Sequence, residues 1–110
     1  MKQIVYDQLR ELDYFKIRDY LDENVEKGTL EGIYQVDLPP GLHSRTQAEH
    51  ARCQGFYFAV NLDRNQVAFE LLIRSRQVLR CSCIGYATPE QRDYIFAFAD
   101  QVLEDLGIRI

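Results

Sequence analysis

Five side chains in this chain have the chemistry for nucleophilic attack or soft-metal binding: Cys53, Cys81, Cys83, His43 and His50. His50-x-x-Cys53 followed by Cys81-x-Cys83 supplies the ligand types that zinc takes tetrahedrally. The spacing argues against such a site. If residues 78–86 form a strand, Cys81 and Cys83 point the same way ~7 Å apart, and the usual knuckle has two intervening residues. The same alternation offers a simpler role, with both thiols as small apolar groups in a packed layer. The expectation is therefore no metal and no cofactor, with His50, Cys53, Cys81 and Cys83 as the residues a metal would use. A Cys53–His50 nucleophile pair would also need an orienting group and an oxyanion hole, and the sequence identifies neither. His43 and His50 fall in a polar stretch, 42–54, without an acid at a diagnostic offset, and are expected to be solvated.

Other catalytic signatures are missing. The six glycines are dispersed and form no phosphate-binding loop. Asp22-Glu23 and Glu104-Asp105 fall on expected helices, where a solvated acidic face accounts for them. An odd cysteine count and an N-terminus that meets Asp7 too early for a secretory signal point to a reducing cytoplasm without structural disulfides.

The elements that must position these residues follow from hydrophobic periodicity. The chain has 110 residues, 46% hydrophobic and 27% charged, which suits one globular α+β domain over 1–110 and argues against disorder. No apolar run reaches the roughly 18 residues of a membrane span. Val5, Leu9 and Leu12, then Tyr14, Ile17, Leu21 and Val25, recur at three and four, predicting a bent helix or two helices over 3–27, with Asp13 as a cap between them. Ile33–Leu38 alternates as a strand, stopped by Pro39-Pro40-Gly41. Within 42–54, Thr46 could cap a short turn. Runs 56–62, 67–74 and 78–86 read as three more strands. Thr88-Pro89-Glu90-Gln91 opens a helix with a cap, a proline in its first turn and a glutamine three after the cap, and Gly107 closes it. The expected architecture is a two-layer sandwich, α-β-β-β-β-α, with a four-stranded, mainly antiparallel sheet and both long helices on one face.

Side-chain parity sets the register. Leu62 should face Val67 across a turn at Asp63-Arg64-Asn65-Gln66, and Ile73 should face Leu79. This gives core layers Phe58–Leu71–Cys81 and Val60–Phe69–Cys83. The uncovered face then carries rows Tyr57–Leu72–Arg80, Ala59–Glu70–Ser82 and Asn61–Ala68–Ile84, with Arg74 and Tyr86 near them.

Charge gives this face a role. Residues 41–86 hold six arginines against three acids, while both flanking stretches are net acidic and the whole chain is −4. Aromatic and arginine side chains among apolar ones resemble the centre of a modest protein interface, and a second copy or an acidic protein partner would match its charge. The functional expectation is a non-enzymatic cytoplasmic interaction module. It would self-associate as a homodimer through Tyr57, Glu70, Leu72, Arg74, Arg80, Ile84 and Tyr86. One alternative is a small-ligand or metal-binding enzyme built on 42–54. The other is a weak RNA binder using Arg74, Arg76 and Arg80 with Tyr57 and Tyr86 as stacking platforms; the net acidity opposes it, because backbone binding needs neutralised phosphates.

Overall fold

The computed structural model describes residues 1–109. It is an α+β fold in which every strand pairing is antiparallel. In chain order come β1 (Gln3–Tyr6), α1 (Glu11–Asn24), β2 (Glu26–Lys27), β3 (Ile33–Asp37), α2 (Arg45–Glu49), β4 (Phe56–Leu62), β5 (Val67–Glu70), β6 (Leu72–Ser75), β7 (Gly85–Tyr86) and α3 (Pro89–Asp105). Among the described residues seven strands replace the expected four, and three α-helices replace two. Along the main path the order is β1-β5-β4-β3-β2, while β6 pairs with β4 and β7. No helix among the described residues is long and apolar enough to cross a membrane.

The N-terminal helix begins later than its periodicity implied. Residues 3–6 form β1 against β5, with Ile4 opposite Phe69 and Tyr6 opposite Val67. Val5 and Leu12, two members of the supposed helical stripe, are both exposed. Four residues satisfy either a helical or an alternating pattern, and the free edge of β5 decides between them. Asp13 does not cap a junction. It sits in the first turn of α1, accepts the Arg10 N–H at 3.1 Å, and pairs with the Arg10 guanidinium, also at 3.1 Å.

Beyond α1, β2 and β3 form a hairpin over Gly28 and Gly32. At Gly32 φ is +82° and an added Cβ would lie 2.7 Å from the Leu62 carbonyl oxygen. Both facts require glycine there.

The strand parity holds, and part of the register with it. Leu62 faces Val67, Asn61 faces Ala68 and Val60 faces Phe69, with the Asp63 N–H closing the turn on the Gln66 carbonyl at 2.9 Å. The register then slips by two. Tyr57 faces Arg74 and Phe56 faces Ser75, so the rows Phe58–Leu71 and Tyr57–Leu72 do not form. At the slip, the Leu71 N–H donates to the Lys2 carbonyl (3.0 Å) and its C=O accepts from the Ala87 N–H (2.7 Å). A slip of two preserves which face each side chain takes.

The core lies on the face expected from parity. Phe56, Phe58, Val60, Val67, Phe69 and Ile73 are fully buried with Ile17 and Leu21 of α1 and Ile95, Ala99 and Val102 of α3. Phe98 of α3 meets Phe58 and Phe69 edge to face, at 5.8 and 6.3 Å between centroids. Tyr34 of β3 is buried on this face and donates its hydroxyl to Asp22 of α1 at 2.7 Å. Burial of each large apolar side chain contributes about 1.5–3 kcal/mol, so this layer holds the fold together.

The expected strand 78–86 is mostly absent. Only Gly85–Tyr86 is extended, paired with Ile73 and Leu72, so Ile73 faces Gly85 in place of Leu79. Leu79 is 96% exposed. Residues 81–84 fold into a turn closed by the Ile84 N–H on the Cys81 carbonyl at 3.0 Å.

Candidate metal centre

That turn removes the geometric objection to a metal. Cys81 and Cys83 are no longer alternate residues of an extended strand, and the chain reverses between them. His50 and Cys53 are brought to one side by a different device. His50 ends α2 and starts a one-turn 3-10 helix, Ala51–Cys53, closed by the Cys53 N–H on the His50 carbonyl at 3.0 Å. Residues three apart in a 3-10 helix eclipse one another. The result is one cluster in which a ligand atom from each of His50, Cys53, Cys81 and Cys83 lies within 4.8 Å of every other. For a tetrahedral zinc with Zn–S near 2.3 Å, neighbouring sulfurs sit about 3.8 Å apart, so small side-chain rotations are enough to close the site.

The surrounding backbone holds both halves. Ser75 at the end of β6 donates its hydroxyl to the Cys53 carbonyl. The Ser75 hydroxyl oxygen in turn accepts the N–H groups of Gln77 and Val78, at 3.0 and 3.2 Å. Cys53 and Cys83 are buried, whereas His50 and Cys81 are half-buried at the outer rim.

The thiols differ electrostatically. Hydrogen bonds from the Cys83 N–H and thiol pull Cys81 down to about 6, with a smaller contribution from His50. Burial, then the bond to Cys81, pushes Cys83 up to about 12. His50 Nδ1 lies 3.0 Å from the Cys81 sulfur. Three sulfurs and an imidazole form a soft donor set that suits zinc over harder cations. All three cysteines are free.

The histidines do not behave as solvated loop residues. His43 packs edge to face on Phe56 at 4.9 Å, with Nε2 buried and unpartnered. His50 belongs to the cluster. A Cys53–His50 nucleophile pair gains no orienting acid, since the contact of His50 is with Cys81. The α2 cap is Ser44, two residues earlier than the expected Thr46, and accepts the Gln47 N–H at 3.2 Å.

The expected interface residues divide. Tyr57, Glu70 and Arg74 share the uncovered face, around a depression of about 210 Å³ that also touches Ile33, Gln35, Ala59 and Asn61. Glu70 is buried there and accepts from Asn61 at 2.7 Å and Arg74 at 3.4 Å. Leu72 and Tyr86 pair at the sheet's end. Arg80 lies outside the sheet, exposed in the irregular segment, and Ile84 packs against the core. Both are removed from the rows assigned to them because strand 78–86 does not form. Arg76, named from the sequence only as an RNA-contacting candidate, stacks on Tyr57 at 4.8 Å and pairs with Glu26 and Asp37 at 2.9 and 2.7 Å.

Comparison with known proteins finds no matching family model, no matching curated protein and no matching solved structure.

Proposed function

We propose that this chain is a non-enzymatic zinc-binding module in which His50, Cys53, Cys81 and Cys83 hold one ion. The observation that carries the reading is the convergence of four soft ligand atoms within 4.8 Å from two segments far apart in sequence. Four protein ligands fill a tetrahedron and leave no position for water or substrate, which is the pattern of structural rather than catalytic zinc. The ion would join the 42–54 connection to the 76–84 segment, the two stretches with least regular structure around the site. A reducing, cytoplasmic setting would keep the three thiols available as ligands.

The test is cobalt(II) titration of the metal-free chain. Thiolate-to-cobalt charge transfer and an intense tetrahedral visible band should saturate at one equivalent and vanish when zinc is added. Octahedral, weakly coloured cobalt, or an unchanged signal in Cys81→Ser and Cys83→Ser chains, would refute the assignment.

A second reading concerns what the module does with its uncovered sheet face. The depression around Glu70 favours self-association there. Glu70 and Arg74 lie side by side on this face, so a two-fold partner can set each against its opposite. Tyr57 and Leu72 would supply the apolar contact.

A further inference from the structure

Two buried glutamines, Gln47 of α2 and Gln91 of α3, join the cysteine–histidine cluster to helix α3. Gln47 and Gln91 are 3% and 1% exposed, and burying an amide is costly unless its polar atoms find partners. Each is the third residue of a capping box. Gln47 Oε1 accepts the Ser44 N–H at 2.9 Å, and Gln91 Oε1 accepts the Thr88 N–H at 3.0 Å. The boxes are also bonded to each other. Gln91 Nε2 donates to Gln47 Oε1 at 2.9 Å and to the Leu42 carbonyl at 2.8 Å. Gln47 Nε2 then donates to the carbonyl of Cys83 at 3.3 Å.

The direction of this chain matters. Because Gln47 Oε1 is claimed by two donors, its Nε2 is left to face Cys83. A glutamine at this helix position needs only the oxygen to cap α2, so the bonds to Gln91 and Cys83 are additional to helix formation. They tie the Cys81–Cys83 turn to the segment that carries His50 and Cys53, and both to the first turn of α3. Partners beyond the ligands fix ligand orientation, and their loss typically costs 10–100-fold in metal affinity.

We propose that Gln47 and Gln91 are positioning residues of the metal site, two paired amides that hold the Cys83 backbone in place before the ion arrives. The proposal rests on the zinc reading above, and its test separates the two. Zinc affinity is measured by competition with a chromogenic chelator for the wild-type, Gln47→Met and Gln91→Met chains, with the melting temperature of each metal-free chain recorded alongside. Wild-type chain that binds no zinc refutes the site itself, and the positioning role with it. With wild-type binding intact, the expectation is a loss of affinity of about 10-fold or more in both variants, with cobalt spectra still tetrahedral. Affinity within twofold of wild type, whatever happens to the melting temperature, shows that the glutamines only cap helices and overturns the proposal. A variant that stays unfolded even with excess zinc also counts against it, because the amides are then general scaffolding.

Discussion

Zinc removal should loosen this protein without unfolding it. Of the four proposed ligands, His50 and Cys81 are half-exposed at the rim, while Cys53 and Cys83 are buried at the margin of the core. The fully buried layer of Phe56, Phe58, Val60, Phe69, Ile73, Ile95 and Ala99 does not include them. The metal-free chain should therefore keep its core and lose only the ion's share of the link between 42–54 and 76–84, where the Gln47 and Ser75 hydrogen bonds remain. The magnitude follows from mass action. An ion bound by the folded state alone, at free concentration a hundred times its dissociation constant, stabilises by about 2.7 kcal/mol. For a chain of this length about 1 kcal/mol corresponds to ~4 °C in Tm, so chelation should lower Tm by roughly 11 °C. Differential scanning calorimetry with zinc and with EDTA reads this directly, and far-UV circular dichroism at 25 °C should hardly change between the two. A chain that is unfolded after chelation would refute the peripheral placement of the site. Identical melting curves would refute the site.

Three other outcomes are expected. Leu72→Asp should turn a dimer into a monomer by light scattering while preserving circular dichroism; a wild type that is already monomeric at high concentration removes the self-association reading. Gly32→Ala should destabilise the fold by more than the roughly 1 kcal/mol that a strain-free glycine-to-alanine change gains, because φ is +82° and the new Cβ meets the Leu62 carbonyl at 2.7 Å; urea denaturation measures it. Asp13 is held below the usual carboxylate range by hydrogen bonds from the Arg10 guanidinium, so its stabilisation is present above its ordinary pKa and fades as pH falls through its folded value. Asp13→Asn should thus cost roughly 0.5 kcal/mol at neutral pH and progressively less below about pH 4, and a pH-independent difference in urea midpoints would contradict the pairing.

Much of the architecture was legible because burial repeats with the period of the element. Even residues of β4 and odd residues of β5 and β6 face the core as alternation requires. The helix α3 announces itself through Thr88, Pro89 and Gln91. The failures have physical causes. In β1, four residues cannot separate period two from period 3.6. In 78–86, Leu79, Cys81 and Cys83 alternate properly, but the cysteines leave the sheet and Leu79 faces water. That local misreading carried the argument against zinc, since the objection rested on a strand. The four residues of the cluster were singled out from their types, and what sequence could not supply was the turn that brings them together. The spacing Ser44-x-x-Gln47, a capping box like the one at Thr88, was the unread signal for α2 and for the glutamine pair.

The two-residue slip at Leu71 has a consequence for how this chain tolerates change in length. Side chains alternate, so β6 keeps Ile73 inside and Arg74 outside only while its offset from β5 is even. An insertion or deletion of one residue between Glu70 and Leu72 would turn β6 over. Arg74 would then enter the packed layer, and the Ser75 hydroxyl would leave the Cys53 carbonyl it now binds. A change of two residues would conserve both faces and shift only which backbone groups meet Lys2 and Ala87. The joint at Leu71 is thus a place where the chain counts in pairs, and an odd step there would be felt in the core and at the cysteines together.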